Sequence, residues 1–240
     1  MARVLDAALD LFLGSACVGC ALPGRMLCRD CRATLSVRAA PAWPTPVPPG
    51  LVTPWATEDY AGAVKELVVG HKDRGQWAHR QVLGDLLGTA VRAATAGLDP
   101  RTPLLLVPVP SRPGAARRRG YDATGALVRS AAASVRRERP VVVAALLVSR
   151  GAADQAGLDA RARAANVAGS MRCPAGRLRR VARRRPSAYV VVCDDVLTTG
   201  ATAREAQRAL EAVGLPPVAV AAVAATRRSG PAVGREPRRG

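Results

Sequence analysis

The chain is poor in aromatic residues, in lysine and in long apolar runs. Aromatic side chains make up 3% of its 240 residues, so few surfaces are available for stacking the bases of single-stranded nucleic acid. Apolar runs such as Val218–Ala225 do not exceed eight residues, far below the roughly 20 that a transmembrane helix needs. Asp6 and Asp10 interrupt the apolar stretch at the N-terminus, which argues against a secretory signal peptide. We therefore expect a cytoplasmic protein with no membrane span.

Acidic residues are scarce relative to basic ones in the C-terminal part of the chain. Residues 101–240 contain 26 of the 36 basic and 9 of the 18 acidic side chains, so nearly all of the formal charge of +18 lies there. Such a bias is typical of proteins that bind nucleic acid, phosphate or pyrophosphate. Arginine supplies 34 of the basic residues and alanine is abundant, which is equally typical of a GC-rich coding sequence. The charge alone leaves both interpretations open.

Apolar segments that alternate with helical patterns predict an α/β fold. Four segments are apolar almost throughout and predict buried strands: 104–109, 141–148, 189–193 and 218–225. A weaker strand is predicted at 51–57. Helical patterns occupy residues 60–69, 76–96, 121–137 and 201–213, and basic loops are predicted at 112–120 and 174–187. Strands buried on both faces are typical of a parallel sheet flanked by helices.

The composition divides the chain into four regions. Residues 1–39 begin with an amphipathic helix at 1–13 and contain a cysteine cluster. Five prolines in residues 40–50 predict an extended linker. The main domain is expected at 51–228, and the Gly/Pro/Arg-rich tail at 229–240 is expected to be disordered.

The cysteine cluster consists of two CxxC pairs separated by seven residues: Cys17, Cys20, Cys28 and Cys31. Without a secretory signal, clustered thiols favour a metal site over disulfides. Four thiolates suffice for one closed tetrahedral Zn²⁺ site, which would be structural rather than catalytic. Gly19 and Gly24 would allow the tight turns of such a knuckle. A redox-active cluster is the alternative.

The most informative segment is residues 189–202, YVVVCDDVLTTGAT. An apolar strand is followed by Asp194 and Asp195, then by a short turn at Val196–Gly200 that opens a helix. Backbone amides at a helix N-terminus, together with three threonine hydroxyls, suit a phosphate monoester. Carboxylates would repel that phosphate, but they suit the hydroxyls of a sugar. The segment therefore predicts a sugar-phosphate site, with a capped helix after two solvated aspartates as the plainer alternative.

This segment closely resembles the phosphoribosyl pyrophosphate (PRPP) motif of type I phosphoribosyltransferases. Further segments occur in the same order in ComF-like competence proteins: the cysteine cluster, LLLVPVP at 104–110, RRGYD at 118–122 and QAGLDARARAAN at 155–166. The resemblance to the ComF family covers most of residues 17–225. It implies a type I phosphoribosyltransferase-like parallel sheet flanked by helices, with a small N-terminal zinc knuckle.

The resemblance also implies roles for individual residues. Asp194 and Asp195 would hold the ribose hydroxyls and lie near the charge that develops on the sugar during the reaction. The 5′-phosphate would contact Leu197, Thr198, Thr199, Gly200, Ala201 and Thr202. The pyrophosphate would contact Val109, Pro110, Ser111 and Arg112, with Mg²⁺ bridging it to the ribose. Cations on a closing loop would assist catalysis, and the candidates are Arg117, Arg118 and above all Arg119.

By the same resemblance, the protein would transfer the phosphoribosyl group of PRPP to a nitrogenous acceptor. In the family, the segment that matches Arg119-Gly120-Tyr121 is followed by Asn-Gln, whereas this chain has Asp122-Ala123. This departure weakens any specific assignment of the acceptor. Lys72 and Gly75 match a family Lys-x-x-Gly segment, which implies a pyrophosphate-binding or a structural role for the lysine. The plainer alternative is a solvated lysine in a turn, which the sequence pattern predicts at residues 71–75. The alternative function is non-catalytic binding of PRPP or a nucleotide. In a variant of it the protein serves DNA uptake by contacting single-stranded DNA or the translocation machinery.

Overall fold

The structure is a computed structural model that describes residues 16–111, 114–149, 167–183 and 187–226. Several sequence predictions fall outside these residues. They are the helix at 1–13, Arg112, the segment 155–166 and the tail 229–240.

The described residues form eight strands and seven helices. The strands are β1 (Ala40–Pro41), β2 (Pro54–Asp59), β3 (Leu104–Pro108), β4 (Val141–Val143), β5 (Val148–Ser149), β6 (Met171–Arg172), β7 (Tyr189–Leu197) and β8 (Pro217–Ala225). The helices are α1 (Arg29–Ala33), α2 (Gly62–Asp73), α3 (His79–Ala94), α4 (Ala115–Arg119), α5 (Ala123–Val135), α6 (Ala175–Ala182) and α7 (Ala201–Glu211).

Six of these strands form one sheet in the order β1-β2-β8-β7-β3-β4, and β5 pairs with β6 separately. Every pair in the large sheet is parallel except β1 with β2. The prediction of a mostly parallel sheet flanked by helices is therefore confirmed. Among the described helices, none combines the length and apolarity that crossing a bilayer would require.

The core lies on both faces of the sheet. On one face, α2, α3 and α5 cover strand residues such as Val191 and Cys193. On the other face, α7 covers Val190 and Val192. Every residue of β3 is buried, as expected for a central strand whose two faces both exclude water. This two-sided burial explains why the strands are apolar throughout rather than alternating.

Two crossovers leave the centre of the sheet in opposite directions. From β3 the chain passes through α5 to β4, whereas from β7 it passes through α7 to β8. Because α5 and α7 cover opposite faces, the carboxyl ends of β3 and β7 form a topological switch point, the place where open α/β sheets typically have a crevice. We refer to this region as the crevice. Ligands of open α/β sheets bind at such a point, and this relationship positions the candidate site.

Several predicted boundaries and both predicted basic loops were wrong. The basic segment 174–187 contains α6, because arginine is a good helix former and the apolar residues Leu178 and Val181 recur at helical spacing. The run 141–148 breaks after β4, which pairs with β3 and with no other strand among the described residues. Residues 112–120 contain the short helix α4. Helix α2 continues to Asp73, so His71 and Lys72 lie in a helix rather than in a turn.

The strand predicted at 189–193 continues as β7 to Leu197. Residues Val196 and Leu197 still pair with Ala224 and Ala225 of β8. Pairing with a long neighbour extends the strand through Asp194 and Asp195, although both are polar. The two acids thus lie within β7 rather than after it.

The proline-rich segment 40–50 packs against the main sheet. Its first residues form β1, in which Ala40 pairs with Ala56 and Pro41 with Trp55 of β2. The Ala42 amide then donates to the Pro54 carbonyl at 2.8 Å. Later in the segment, Pro44 is buried. The segment predicted as a linker is therefore joined to the sheet at its N-terminal end.

Candidate functional site

The crevice at the carboxyl ends of β3 and β7 brings together residues that are far apart in sequence. The Val109 amide donates to the Cys193 carbonyl at 2.9 Å, so the loop after β3 begins beside the two acids. Val109 is buried, whereas Pro110 and Ser111 are half-buried. The loop predicted to hold pyrophosphate and the acids predicted to hold ribose are thus neighbours.

Asp194 and Asp195 are both buried, with 9% and 6% of their surfaces exposed. Their preceding neighbours Val192 and Cys193 pack on opposite faces of the sheet, and side chains alternate along a strand. The two carboxylates therefore leave β7 on opposite sides. Each accepts a backbone hydrogen bond of 2.8 Å, Asp194 Oδ1 from the Asp195 amide and Asp195 Oδ1 from the Val196 amide.

Lys72, at the end of α2, pairs with Asp195. Its Nζ lies 2.6 Å from Oδ2 of the acid, and its side chain is 38% exposed whereas that of Asp195 is 8% exposed. Burial alone would lower the pKa of Lys72, but the carboxylates of Asp195 and Asp194 raise it above its usual value. The sequence pattern placed Lys72 in a turn, and two signals marked it for attention: its match to a family Lys-x-x-Gly segment and its rarity as one of two lysines.

The environment of Asp194 favours its protonated form. Burial, and then the charge of Asp195, raise the pKa of Asp194 to about 8. The charge of Lys72, which pairs with Asp195, acts in the opposite direction and lowers the pKa of Asp194, but it does not outweigh burial. This arrangement differs from the two solvated aspartates that the plainer interpretation of the sequence would give.

The turn between β7 and α7 is open on one side. Thr198 is exposed, and Thr199 and Thr202 are half-buried. The Ala201 amide donates to Thr199 Oγ1 at 3.4 Å, a long hydrogen bond. Gly200 is the N-cap of α7 and has no side chain with which to cap the first turn. The turn thus presents hydroxyls and helix amides at the edge of the crevice.

The other side of this turn packs against the proline-rich segment. Gly200 has a φ of +73°, and a Cβ at this position would lie 2.9 Å from Pro44 Cγ and 3.1 Å from Pro48 Cγ. Helix α7 holds the same segment: Arg204 Nε donates to the Pro49 carbonyl, and Gln207 Nε2 to the Gly50 carbonyl, both at 2.9 Å. The glycine is therefore required both for its backbone conformation and for space.

Arg119 points toward the loop after β3. Its Nη2 lies 3.4 Å from Ser111 Oγ, its Nη1 lies 3.4 Å from Asp73 Oδ1, and its side chain is 17% exposed. The long distances indicate weak contacts that a ligand can replace. Of the neighbouring cations, Arg118 is exposed, Arg112 lies outside the described residues, and so does the side chain of Arg117.

The segment around Tyr121 has structural partners. Asp122 caps α5 by accepting a hydrogen bond from the Gly125 amide at 3.1 Å. The Ala123 carbonyl lies 3.1 Å from His71 Nε2, and the Tyr121 hydroxyl donates to the His71 carbonyl. Asp122 and Ala123, which depart from the family pattern, thus stabilise the junction of α2 and α5.

The four cysteines predicted to hold zinc converge on one point. Their sulfur atoms all lie within 4.8 Å of one another, and Sγ of Cys20 and Cys28 are 3.7 Å apart. Amides of Cys28 and Cys31 donate to Sγ of Cys17 and Cys28 at 3.3 Å and 3.4 Å. Within the described ranges, this is the only group of three or more side chains arranged to hold a metal. The cluster can hold a metal ion such as Zn²⁺.

The thiols of this cluster have unequal acidity. Burial alone would raise the pKa of Cys17, but hydrogen bonds from backbone amides, first that of Cys28, lower it to about 6. Hydrogen bonding among the thiols, first with Cys28, raises the pKa of Cys31 to about 12. Four adjacent thiolates would repel one another, so a divalent cation is the natural partner of their fully deprotonated form.

The two glycines of the knuckle serve different purposes. Gly24 has a φ of +97°, as expected for a tight turn. A Cβ on Gly19 would lie 2.8 Å from Cys31 Sγ, so this position is needed for space rather than for its backbone conformation. Val18, Leu27 and Leu35 pack against the core on the α3 side, so the knuckle is joined to the main domain.

No protein-family model matches the chain, and a search of curated proteins finds no match. The interpretation of the crevice therefore rests on the residues of this chain and on their geometry.

Proposed function

We propose that the protein is a ComF-like member of the type I phosphoribosyltransferase class. In this proposal it binds PRPP with Mg²⁺ in the crevice and transfers the phosphoribosyl group to a nitrogenous acceptor. One observation carries the proposal. The acid pair in β7, the threonine turn after it and the Ser111–Arg119 contact all lie where the crossovers of the sheet diverge.

The 5′-phosphate would occupy the turn at Thr198–Thr202. Its oxygens would accept hydrogen bonds from the threonine hydroxyls and from the first amides of α7, where the helix dipole favours an anion. Packing of Gly200 against Pro44 and Pro48 holds the turn from behind. The turn would therefore be preorganised for the phosphate, and little conformational entropy would be lost on binding.

The ribose would lie beside the acids. A protonated Asp194 can donate a hydrogen bond to one ribose hydroxyl oxygen, and an ionised Asp195 can accept one from a ribose hydroxyl. Asp195 Oδ2 is held by Lys72 in the free protein, and the side chain of Lys72 is partly exposed. Binding would thus require Lys72 to move from Asp195 toward the incoming pyrophosphate.

The pyrophosphate would contact Ser111 and Arg119. Arginine makes charge-assisted hydrogen bonds with phosphate oxygens, and the present contacts of Arg119 are long enough to be exchanged for them. Two carboxylates fit a Mg²⁺ ion that takes most of its ligands from pyrophosphate and water. The ion would enter with PRPP and neutralise charge on the leaving group.

In the reaction, the bond between the anomeric carbon and the pyrophosphate oxygen would break as a bond to the acceptor nitrogen forms. The pyrophosphate would leave with the electron pair, and the nitrogen would lose a proton to solvent. Arg119 would stabilise the leaving group, and Asp195 would stabilise positive charge on the sugar. Catalysis would thus be mainly electrostatic.

The remaining parts of the proposal concern the knuckle and the location of the protein. The knuckle would hold one structural Zn²⁺ through Cys17, Cys20, Cys28 and Cys31. We place the protein in the cytoplasm, where PRPP and Mg²⁺ are expected and clustered thiols stay reduced.

Calorimetric titration with PRPP in the presence and absence of Mg²⁺ tests the binding step. We expect saturable, Mg²⁺-dependent binding that Asp195→Asn weakens at least about tenfold, because a charged hydrogen-bond acceptor is lost. Asp85→Asn is the matched control, since Asp85 is an exposed acid that pairs with Arg32 on the surface. If neither the parent nor the control binds PRPP, the proposal fails.

A second candidate function is binding of a sugar phosphate without turnover. It is favoured by the contact of Lys72 with Asp195, because this contact engages one of the two carboxylates that the reaction would require. Release of pyrophosphate from PRPP, measured with ammonia, purines and pyrimidines as acceptors, separates the two functions. Binding without release would favour the second candidate. Its DNA-uptake variant requires binding to single-stranded DNA whose affinity falls steeply with salt.

A further inference from the structure

A cavity of about 560 Å³ lies beside the edge strand β4, apart from the crevice. It is lined by the end of β4, by the chain that follows it and by α6: Val142, Val143, Ala144, Ala145, Leu146, Arg177, Arg180 and Val181. None of these residues belongs to the acid pair, the threonine turn or the loop after β3. The volume falls within the range of roughly 300–1,000 Å³ that is typical of small-molecule sites.

The walls of the cavity are apolar and incompletely covered. Val142, Ala144 and Val181 pack against the core on the α7 side but are only partly buried. Helix α6 has no buried residue, so it covers the sheet edge loosely. Each Å² of apolar surface removed from water contributes about 25 cal/mol, so an apolar ligand would be stabilised here.

The rim of the cavity is positively charged. Arg177 is held in place because its Nη1 donates to the Ala145 carbonyl at 2.7 Å and to the Leu147 carbonyl at 3.0 Å. Arg180 follows about one helical turn later and is exposed. Helix α6 has the sequence AGRLRRVA and contains no acidic residue that could neutralise these cations. A planar guanidinium binds carboxylate, sulfonate or phosphate groups well.

We propose that this cavity is a binding site for a small organic anion with an apolar body. The body would contact Val142, Leu146 and Val181, and the anionic group would pair with Arg180 and with the free nitrogens of Arg177. The Ala144 amide donates to the Leu106 carbonyl at 3.1 Å, so the site adjoins β3, whose carboxyl end borders the crevice. The proposal stands independently of the function assigned to the crevice.

Fluorescence titration of the full chain with anilinonaphthalene sulfonate tests this site. The dye joins a sulfonate to an apolar ring system and becomes fluorescent in apolar surroundings. We expect saturable binding that Arg180→Ala weakens about tenfold, because a charge-assisted contact is lost. Arg179→Ala is the matched control, since Arg179 is exposed on the same helix and does not line the cavity. Equal affinities in the two variants would overturn the proposal.

Three further measurements separate the elements of the proposal. Val181→Asp, checked for folding by circular dichroism, places a carboxylate in the cavity and should abolish binding of the dye. The uncharged phenylnaphthylamine should bind more weakly than the sulfonate and should not respond to Arg180→Ala. Excess PRPP with Mg²⁺ should leave the dye bound. Displacement by PRPP, or equal binding of the uncharged probe, would contradict a separate anion site.

Discussion

Lys72 of α2 and Asp195 of β7 form an ion pair of 2.6 Å that joins a helix on one face of the sheet to the central strand. The pair lies at the carboxyl ends of β3 and β7, where the crossovers from these two strands leave in opposite directions. It therefore belongs to the candidate site rather than to the surface. Asp194 is adjacent, and its pKa is raised by burial and by the charge of Asp195, an effect that the charge of Lys72 partly offsets. The first two predictions concern this group of three residues.

Replacing Lys72 with methionine should destabilise the fold by about 1–2 kcal/mol. Breaking a buried pair typically costs about 3–5 kcal/mol, and we reduce this value because more than a third of the lysine side chain is exposed. The free energy of unfolding at neutral pH, measured in urea, gives the effect. Lys65→Met is the matched control, since Lys65 is the other lysine of the chain and is exposed. In a double-mutant cycle with Asp195→Asn, Lys72→Met should reduce the free energy of unfolding by less, because residue 195 is then uncharged.

The stability of the protein should fall as pH rises toward and through 8. The pKa of Asp194 is about 8 in the folded protein, whereas the ordinary value of 3.8 applies to the unfolded chain. Between these two pH values the folded state therefore binds more protons than the unfolded state. The stability that the protonated acid provides is therefore complete below about pH 4 and is lost as pH rises through the folded pKa. Urea unfolding at a series of pH values should show this slope. In Asp194→Asn the slope between about pH 5 and 8.5 should be reduced, and an unchanged slope would contradict the assignment.

Gly200→Ala should destabilise the protein by about 2–3 kcal/mol. The substitution adds the cost of a left-handed backbone to that of a Cβ at 2.9 Å from Pro44. Gly214→Ala is a close control, because Gly214 has a φ of +75° and no atom within 4 Å of its added Cβ. The control should lose only about 1 kcal/mol. Equal losses of stability in the two variants would show that Pro44 and Pro48 can shift to accept the Cβ without loss of free energy, and would contradict the prediction.

Purified protein should contain one zinc ion per chain. Removal of the metal by a chelator should lower the melting temperature by at least about 5 °C, because the knuckle packs against the main core. Metal content measured by atomic emission should fall in Cys28→Ser and stay unchanged in Cys173→Ser. Cys173 is a free cysteine outside the cluster, which makes it a suitable control. Loss of zinc in both variants would argue against a site specific to the four cysteines.

Local patterns in the sequence determined the class of the fold and predicted the convergence of the four cysteines. Strands such as β3 and β8 are apolar throughout because both of their faces are buried. Two-sided burial is therefore visible in the sequence as a run of consecutive apolar residues. The spacing of the cysteines predicted their convergence, since a short loop can bring two CxxC pairs together. The order of acids, threonines and glycine after a strand likewise predicted a turn that suits a phosphate.

The tertiary structure alone decided how these parts meet. The pairing of β2 with β8, the ion pair between Lys72 and Asp195 and the packing of Pro44 on Gly200 join residues that are more than a hundred positions apart. Such contacts depend on how whole helices and strands pack together, and a local sequence pattern contains no information about that packing. The same holds for β7, whose polar end remains a strand because β8 continues to pair with it. Burial by distant elements also raised the pKa of Asp194, a property that two adjacent aspartates do not have by themselves.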